Sequence, residues 1–571
     1  MMTSKRAAGA GAAYRKAAPL SAVSGNGTGV AAKAAVFAVI AFTLSPLAAF
    51  VYSALGGAAE GGQGAGRAVI LDLLSPATLS ALRFSLSQAA LSTLLAFVVG
   101  FPGAYFVSKY EFKGRRFFLA LAAIPFCLPS ILVILSFILY YGKNGWFSLV
   151  MAKAGLAGGG SLLYSLWGLV FVHAFYNFPI FIQNVGSVWA KMPRSREEAA
   201  RTLGAGRIRS FAVGTLPYLL PSMLQAASLV FLFCFFSFTI VLVFGSLAGT
   251  TLEVGIYRAI RFTNDRPQAL ALAFVQTVIA LLTVAAFAHF DRKTAASAKG
   301  FGDAPSRRRP GLAATLGISA YLFCIVIFFL GPLFALAVEA FTVRSSLAGG
   351  RTFGLDNFTR LLGGSSGFGS AGSVSSLVTA TINSLTLSGS AAIAATALGV
   401  ALAATSHYGG KRSGLGGWMT ALPLALSPAL IASGWSALLS RGGAVLIILA
   451  QTSIAWPFVA RSVSSAFAAL DRSRNEAARS LGATPIQASL RVDIATLAPS
   501  LASAAAFAFS ITMGDANIPL ILGSGKHETL PLLLYRLTSS YRFNEACAVG
   551  LVLALFTSFA FFLKERTYEA S

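Results

Sequence analysis

Of the 571 residues, 56% are hydrophobic and only 11% are charged, with a formal net charge of +25. A soluble chain of this length carries about a quarter charged residues, so a soluble globular protein is excluded, and long apolar runs without strand alternation predict transmembrane helices rather than a β-barrel. The basic residues sit in short segments between those runs, which argues against nucleic acid as the partner the charge serves.

Residues 1–33 read as a basic tail with Lys5, Arg6, Arg15, Lys16 and Lys33. The apolar run that follows, 34–55, is longer than the apolar region of a cleaved signal peptide, so an uncleaved first span is expected. Further spans are predicted near 84–106, 117–140, 163–188, 214–245 and 267–289. The segment 290–313 is polar and basic, ends in Arg307-Arg308-Arg309-Pro310, and reads as a flexible linker. Six more spans are predicted near 314–340, 382–405, 417–440, 443–468, 495–522 and 545–563, followed by a tail at 564–571. The runs 214–245 and 495–522 are long enough to tilt or bend, and they contain Pro217, Pro221, Pro499 and Pro519. With the N-terminus inside, more than twice as many Lys and Arg fall in inside segments as in outside ones. The positive-inside rule therefore expects both termini in the cytoplasm of a multi-pass inner-membrane protein, with basic patches available to membrane lipid.

Cys127, Cys234, Cys324 and Cys547 lie in or at the end of apolar runs with no CxxC pairing and read as packing residues. His173, His289, His407 and His527 are scattered, so neither a metal site nor a catalytic constellation is expected, and no cofactor is called for.

The two halves repeat. Residues 194–205, RSREEAARTLGA, match residues 472–483, RSRNEAARSLGA, at ten of twelve positions and an offset of 278. The same offset aligns Pro179 with Pro457, Pro221-Ser222 with Pro499-Ser500, Gly245 with Gly523, Thr251-Leu252 with Thr529-Leu530, and Tyr257-Arg258 with Tyr535-Arg536. Six spans in each half make the repeat parallel. The expected fold is an all-α integral membrane protein of about twelve transmembrane helices, in two parallel six-helix repeats around a pseudo-twofold axis along the membrane normal. The units are 34–289 and 314–563.

Each repeated segment falls on the inside, between the fourth and fifth spans of its half. Glu198-Ala199-Ala200 with Gly204 six residues after the glutamate and Leu216-Pro217 beyond, and Glu476-Ala477-Ala478 with Gly482, resemble the EAA loops of ATP-binding-cassette importer permeases. The second copy departs downstream, where Ile494-Ala495 stands in place of Leu-Pro. The residue types suit docking: alanines keep a helix thin, a glutamate early in it favours the helix dipole, and glycine allows a close turn. Arg194, Arg196, Arg201, Arg472, Arg474 and Arg479 are candidates to meet acidic groups on a partner. The resemblance implies that each loop seats on one copy of an ATPase subunit, two copies in all, and that a solute-binding protein serves the outer face. The chain has no GxxxxGK[ST] phosphate loop, so ATP hydrolysis is expected in a separate subunit.

The resemblance covers nearly the whole chain, because fused twelve-span permeases form a subgroup that handles thiamine, ferric iron and related solutes. Residues 249–259, GTTLEVGIYRA, together with Met513-Gly514-Asp515, Thr529-Leu530-Pro531 and Ser540-Tyr541-Arg542, look most like thiamine permeases, with a ferric-iron importer as the alternative. Asp515 and Asn517 in the eleventh span, and Ser237 opposite them by the repeat, are candidates to line the solute path. A carboxylate in a membrane is costly and often functional; Asp515 either meets a cationic solute or caps a helix break between Gly514 and Pro519. His173 and Asn177 suit hydrogen bonds between helices, Arg461 suits snorkelling or helix pairing, and the run Phe231, Phe233, Phe235, Phe236 and Phe238 suits packing. A secondary transporter is the competing class, but it leaves the two EAA loops without a role.

Overall fold

A computed structural model describes residues 26–56, 65–115, 118–119, 128–155, 163–193, 195–245, 249–299, 307–344, 351–362, 377–408, 423–439, 443–522 and 527–569. The expected basic tail up to residue 25, Cys127, Arg194 and Gly523 lie outside them. Membrane helices are numbered here in chain order: α1 Asn26–Gly56, α2 Pro76–Lys109, α3 Ser130–Tyr141, α4 Leu166–Lys191, α5 Leu216–Phe235 and α6 Arg266–Lys299 in the first half. The second half holds α7 Leu312–Ala340, α8 Leu377–Tyr408, α9 Pro428–Leu438, α10 Ala444–Ala469, α11 Ile494–Met513 and α12 Phe543–Glu569.

Ten of these are long and apolar enough to cross a membrane, and the chain is an all-α integral membrane protein. The other two, α3 and α9, are the described parts of the third and ninth expected spans; residues 120–127 and 409–422 before them lie outside the described set. Two three-residue strands, Thr342–Arg344 and Arg351–Phe353, form a small antiparallel hairpin. Local chemistry marks several starts. Ser75, Ser165 and Ser427 accept hydrogen bonds from the backbone N–H groups of Thr78, Gly168 and Leu430 at the N-termini of α2, α4 and α9. Helix α6 runs ten residues beyond the expected end of its span, into the segment read as a linker, and residues 300–306 of that segment are outside the described set. On its far side Arg308 bridges the chain at Tyr110, donating from its N–H to the Lys109 carbonyl at 3.0 Å and accepting from the Glu111 N–H at 2.9 Å.

Within each half the second and fourth helices pack along each other: α2 on α4, and α8 on α10. The first helix of each half packs on both halves. Helix α1 packs on α9, α8 and α6, whereas α7 packs on α3 and α12. In α1 the carbonyl of Pro46 lies so close to Gly434 of α9 that a Cβ there would stand 1.9 Å from the oxygen. Lipid tails are as apolar as leucine, so such close packing and interhelical hydrogen bonds, not apolar burial, hold membrane helices together. Tyr321 of α7 donates to the Val99 carbonyl of α2 at 3.0 Å, and the Arg461 guanidinium of α10 lies 5.0 Å from the ring centre of Phe287 in α6. Arg461 therefore pairs helices from different halves.

The long fifth and eleventh runs are interrupted, but not at their prolines. Pro217 occupies the first turn of α5, where its missing N–H costs nothing, and Pro221 and Pro499 sit within continuous helix. The interruptions fall at residues 236–238 and 514–516, each followed by a short helix, Thr239–Phe244 and Asn517–Leu522. A break disturbs the regular pairing of the carbonyls before it, and side chains of neighbouring helices add donors there. Gln88 Nε2 of α2 donates to the Cys234 carbonyl at 2.8 Å in the first half. Gln451 Nε2 of α10 donates to the carbonyl of Thr512, the repeat image of Cys234, at 3.1 Å in the second.

Candidate coupling face and axial cavity

The repeated loops form short helices, Ser195–Thr202 and Arg472–Ser480, at one end of the molecule. Both close in the same way. The N–H of Gly204 donates to the Arg201 carbonyl at 2.9 Å and that of Ala205 to the Ala200 carbonyl at 3.0 Å. Gly482 and Ala483 make the equivalent bonds to Arg479 and Ala478 at 3.0 and 3.1 Å. This paired closure requires a left-handed residue, and Gly204 has φ +84° and Gly482 φ +93°. The turn role read for the two glycines is thus a backbone requirement.

Glu198, Ala199, Glu476 and Ala477 are exposed, and Ala200 and Ala478 are half-buried against the fold. Beside them Leu203 and Leu481 are each 89% exposed, and Ile208 is 87% exposed. Leu203 and Leu481 stand at repeat-equivalent positions, so each loop presents the same exposed apolar side chain. Sequence reasoning passed over them, although the signal was present: each is an apolar residue kept at offset 278 inside a polar segment. Of the arginines, Arg196 is engaged at home, its guanidinium 3.8 Å from the ring centre of Tyr218. Arg201 and Arg474 are exposed, and Glu198 itself meets the linker through Arg308 at 3.8 Å.

The glutamate one position earlier turns inward. Glu197 accepts from Lys109 Nζ of α2 at 3.2 Å and from the hydroxyl of Thr215, the residue that opens α5. Burial pushes its carboxyl up, but the Thr215 hydrogen bond and then the Lys109 charge outweigh it and hold it below the ordinary carboxylate value. In the second half Asn475 donates from Nδ2 to Asp493 Oδ2 at 2.6 Å. Asn475 and Asp493 are the repeat images of Glu197 and Thr215, so the carboxylate has changed sides across one contact. Downstream the halves differ as the Leu-Pro departure foretold. Pro217 restarts a helix after Thr215, whereas residues 489–493 continue through a π-helical turn straight into α11.

At mid-molecule the two breaks face each other. The Thr239 hydroxyl donates to Asn517 Oδ1 at 2.5 Å. Thr239 and Asn517 are 278 residues apart, so each is the other's repeat image, and a residue can touch its own image only on the pseudo-twofold axis. Around this contact lies a cavity of about 340 Å³ whose polar lining includes His173, Asn177, Ser237, Asp515 and Asn517. All three residues read as path candidates, Ser237, Asp515 and Asn517, thus come together. Asp515 also caps the break: its two oxygens accept from the N–H groups of Asn517 and Ile518 at 3.0 and 3.3 Å. His173 and Asn177 do make interhelical contacts, with Ser92 and Cys234, while His173 Nε2 has no hydrogen-bond partner. The phenylalanine run divides: Phe231 and Phe235 stack on each other at 5.7 Å, and Phe233, Phe236 and Phe238 face the cavity.

Near this cavity the halves are also joined by Glu253, which is fully buried. Its carboxylate accepts from Gln276 Nε2 at 2.6 Å and from the N–H of Ala429, at the start of α9, at 3.0 Å. It lies in the segment 249–259 noted in the sequence but was not singled out there, and its repeat image is Pro531.

Two repeated, alike-closed loop helices and a polar cavity where two like halves meet are the features the comparisons bear on. Residues 92–296 match the family described as binding-protein-dependent transport system inner membrane component. The chain is an ATP-binding-cassette importer permease. It is similar to the thiamine transport system permease protein ThiP of Brucella abortus, at 28% identity over 83% of this chain and 84% of that one. The ThiP proteins of Haemophilus influenzae and Escherichia coli are 26% and 24% identical over 84% and 85% of this chain, covering 86% and 88% of theirs. The match is long enough to extend through both halves of this chain. A secondary transporter would not carry this family's domain.

Proposed function

We propose that this permease imports thiamine or its phosphates across the inner membrane, with both termini in the cytoplasm, driven by two copies of a separate ATPase seated on the two EAA loops. The duplicated, identically capped coupling helices with their exposed leucines carry the coupling part of this reading. Glu198, Ala199, Ala200 and Gly204, with Glu476, Ala477, Ala478 and Gly482, form the docking surface. An external solute-binding protein delivers the solute, and Asp515, Asn517 and Ser237 line its path through the axial cavity. The solute is suggested by the thiamine permeases that this chain resembles along most of its length. An Asp carboxylate and phenylalanine rings around one cavity also suit a cationic aromatic solute.

The test is uptake of labelled thiamine by cells lacking their own thiamine permease, supplied with this chain, its ATPase and its binding protein. ATP-dependent uptake that is lost when Glu198 and Glu476 are both replaced supports solute and coupling together. No uptake despite normal expression and assembly discards thiamine and brings ferric iron forward.

A further inference from the structure

The adjacent glutamates of the first coupling helix face opposite ways. The Glu198 side chain is 60% exposed and the Glu197 side chain 18%. Glu198 belongs to the surface that a partner covers; Glu197 belongs to the permease's own framework, where it holds Thr215 and Lys109. Its main-chain carbonyl also accepts from Ser210 Oγ at 2.8 Å, which draws the coupling helix onto the helix leading to α5.

In the second half neither partner is conserved in kind, yet the contact persists. Glutamate has become Asn475, and threonine has become Asp493. One carboxylate and one donor remain, with the acid transferred to the membrane helix. Thr215 and Asp493 are buried, so each contact is made at a place with little access to water, where a lost hydrogen bond is costly. A carboxylate paired with a donor is among the stronger hydrogen bonds available there.

The position of the contact gives it a consequence. Thr215 and Asp493 stand at the starts of α5 and α11, both 20 residues long. A 20-residue helix spans about 30 Å, and these two end at the breaks that carry Ser237 and Asp515 into the axial cavity. Each is therefore one rigid element with the coupling helix bonded at one end and the path at the other.

We propose that Glu197–Thr215 and Asn475–Asp493 are the two transmission joints of the importer: positioning residues that pass the displacement of each coupling helix to α5 and α11 without touching the ATPase or the solute. The joints are chemically unequal. The first is also tied through Lys109 to α2, so motion of the first coupling helix is shared between two membrane helices. This inference rests on the importer assignment and is independent of which solute is carried.

The experiment measures ATP hydrolysed per solute imported by the assembled importer in proteoliposomes, together with ATPase binding. Thr215→Val and Glu197→Asn each remove one joint contact and should raise the ATP cost per solute about tenfold, the equivalent of one charge-assisted hydrogen bond. ATPase binding should be unchanged. The double variant Glu197→Asn with Thr215→Asp installs the second joint's chemistry in the first and should return the ratio close to that of the wild type. A purely structural role would lower abundance, hydrolysis and uptake together and leave the ratio alone, which would overturn the proposal. So would a double variant as impaired as Glu197→Asn by itself. The wild-type chain sets the reference in the same vesicles: a wrong solute shows as failure of the wild type, a wrong joint as a ratio that the single variants leave unchanged or the double variant does not restore.

Discussion

Replacing Gly204 with alanine isolates the backbone term of the coupling helix from every other. Gly204 stands at φ +84° with no atom within 4 Å of where a Cβ would go, so the added methyl meets nothing. What remains is the cost of a left-handed conformation for an L-residue, about 1–2 kcal/mol. A cost of that size lowers the population of the closed helix end about 5- to 30-fold. If the ATPase reads the closed form, its affinity for the permease falls by a comparable factor. Gly204→Asn should lose less, because asparagine enters this region several times more readily than most residues. Gly482→Ala should behave alike, and the double replacement should multiply the two losses, since well-separated sites add in free energy. The assay is titration of the purified ATPase onto the detergent-solubilised permease. Wild-type affinity in Gly204→Ala, or weaker binding by Gly204→Asn than by Gly204→Ala, would refute the reasoning. Insertion and abundance should not change, because Gly204 is exposed.

Four further outcomes are expected. Gly434→Ala places a Cβ 1.9 Å from the Pro46 carbonyl and should destabilise the α1–α9 contact by about 1–3 kcal/mol, read as a lower melting temperature in detergent; Gly389→Ala, with open space around it, is the control. A double-mutant cycle of Thr239→Val and Asn517→Leu should show coupling of about 0.6 kcal/mol, the usual size for hydrogen bonds between membrane helices, and strict additivity would deny the axial bond. Asp515→Asn keeps one acceptor for the helix break, so folding should persist while uptake of a cationic solute falls; unchanged uptake would remove the charge from the mechanism. The Glu197 carboxyl titrates below its ordinary 4.5 in the folded protein, so its stabilisation is complete above that value and is lost as pH falls through the lower folded value. The melting-temperature advantage over Glu197→Gln should therefore hold at neutral pH and shrink in acid; an advantage that grows on acidification would reverse the assignment.

The form of the two repeated loops was legible because their signal is local. The glycine, the alanines and the glutamate lie within one short segment that recurs at a fixed offset, and the left-handed closure at Gly204 and Gly482 is decided by residues adjacent in the chain. The cavity residues were half legible. Polar groups in apolar runs are few enough to single out Asp515, Asn517 and Ser237, but nothing in the chain said that Asp515 would both cap a break and face the cavity. Glu253 and Glu197 were not legible at all. One has no counterpart in the repeat, and the meaning of the other depends on which way a side chain points on a short helix.

By itself the sequence determined the membrane class, the twofold repeat and the two repeated loop helices, because hydropathy over about 20 residues and self-similarity are properties of contiguous chain. Only the tertiary structure decided that α1 and α7 also pack on the opposite half, that the breaks fall at 236–238 and 514–516 rather than at the prolines, and that Thr239 meets its own image Asn517. Each of these is settled by what packs against a helix. In lipid nearly every long apolar helix is locally acceptable, so the choice among neighbours falls to close contacts such as Gly434 on Pro46 and to amides such as Gln88 and Gln451 that donate to carbonyls beside the breaks.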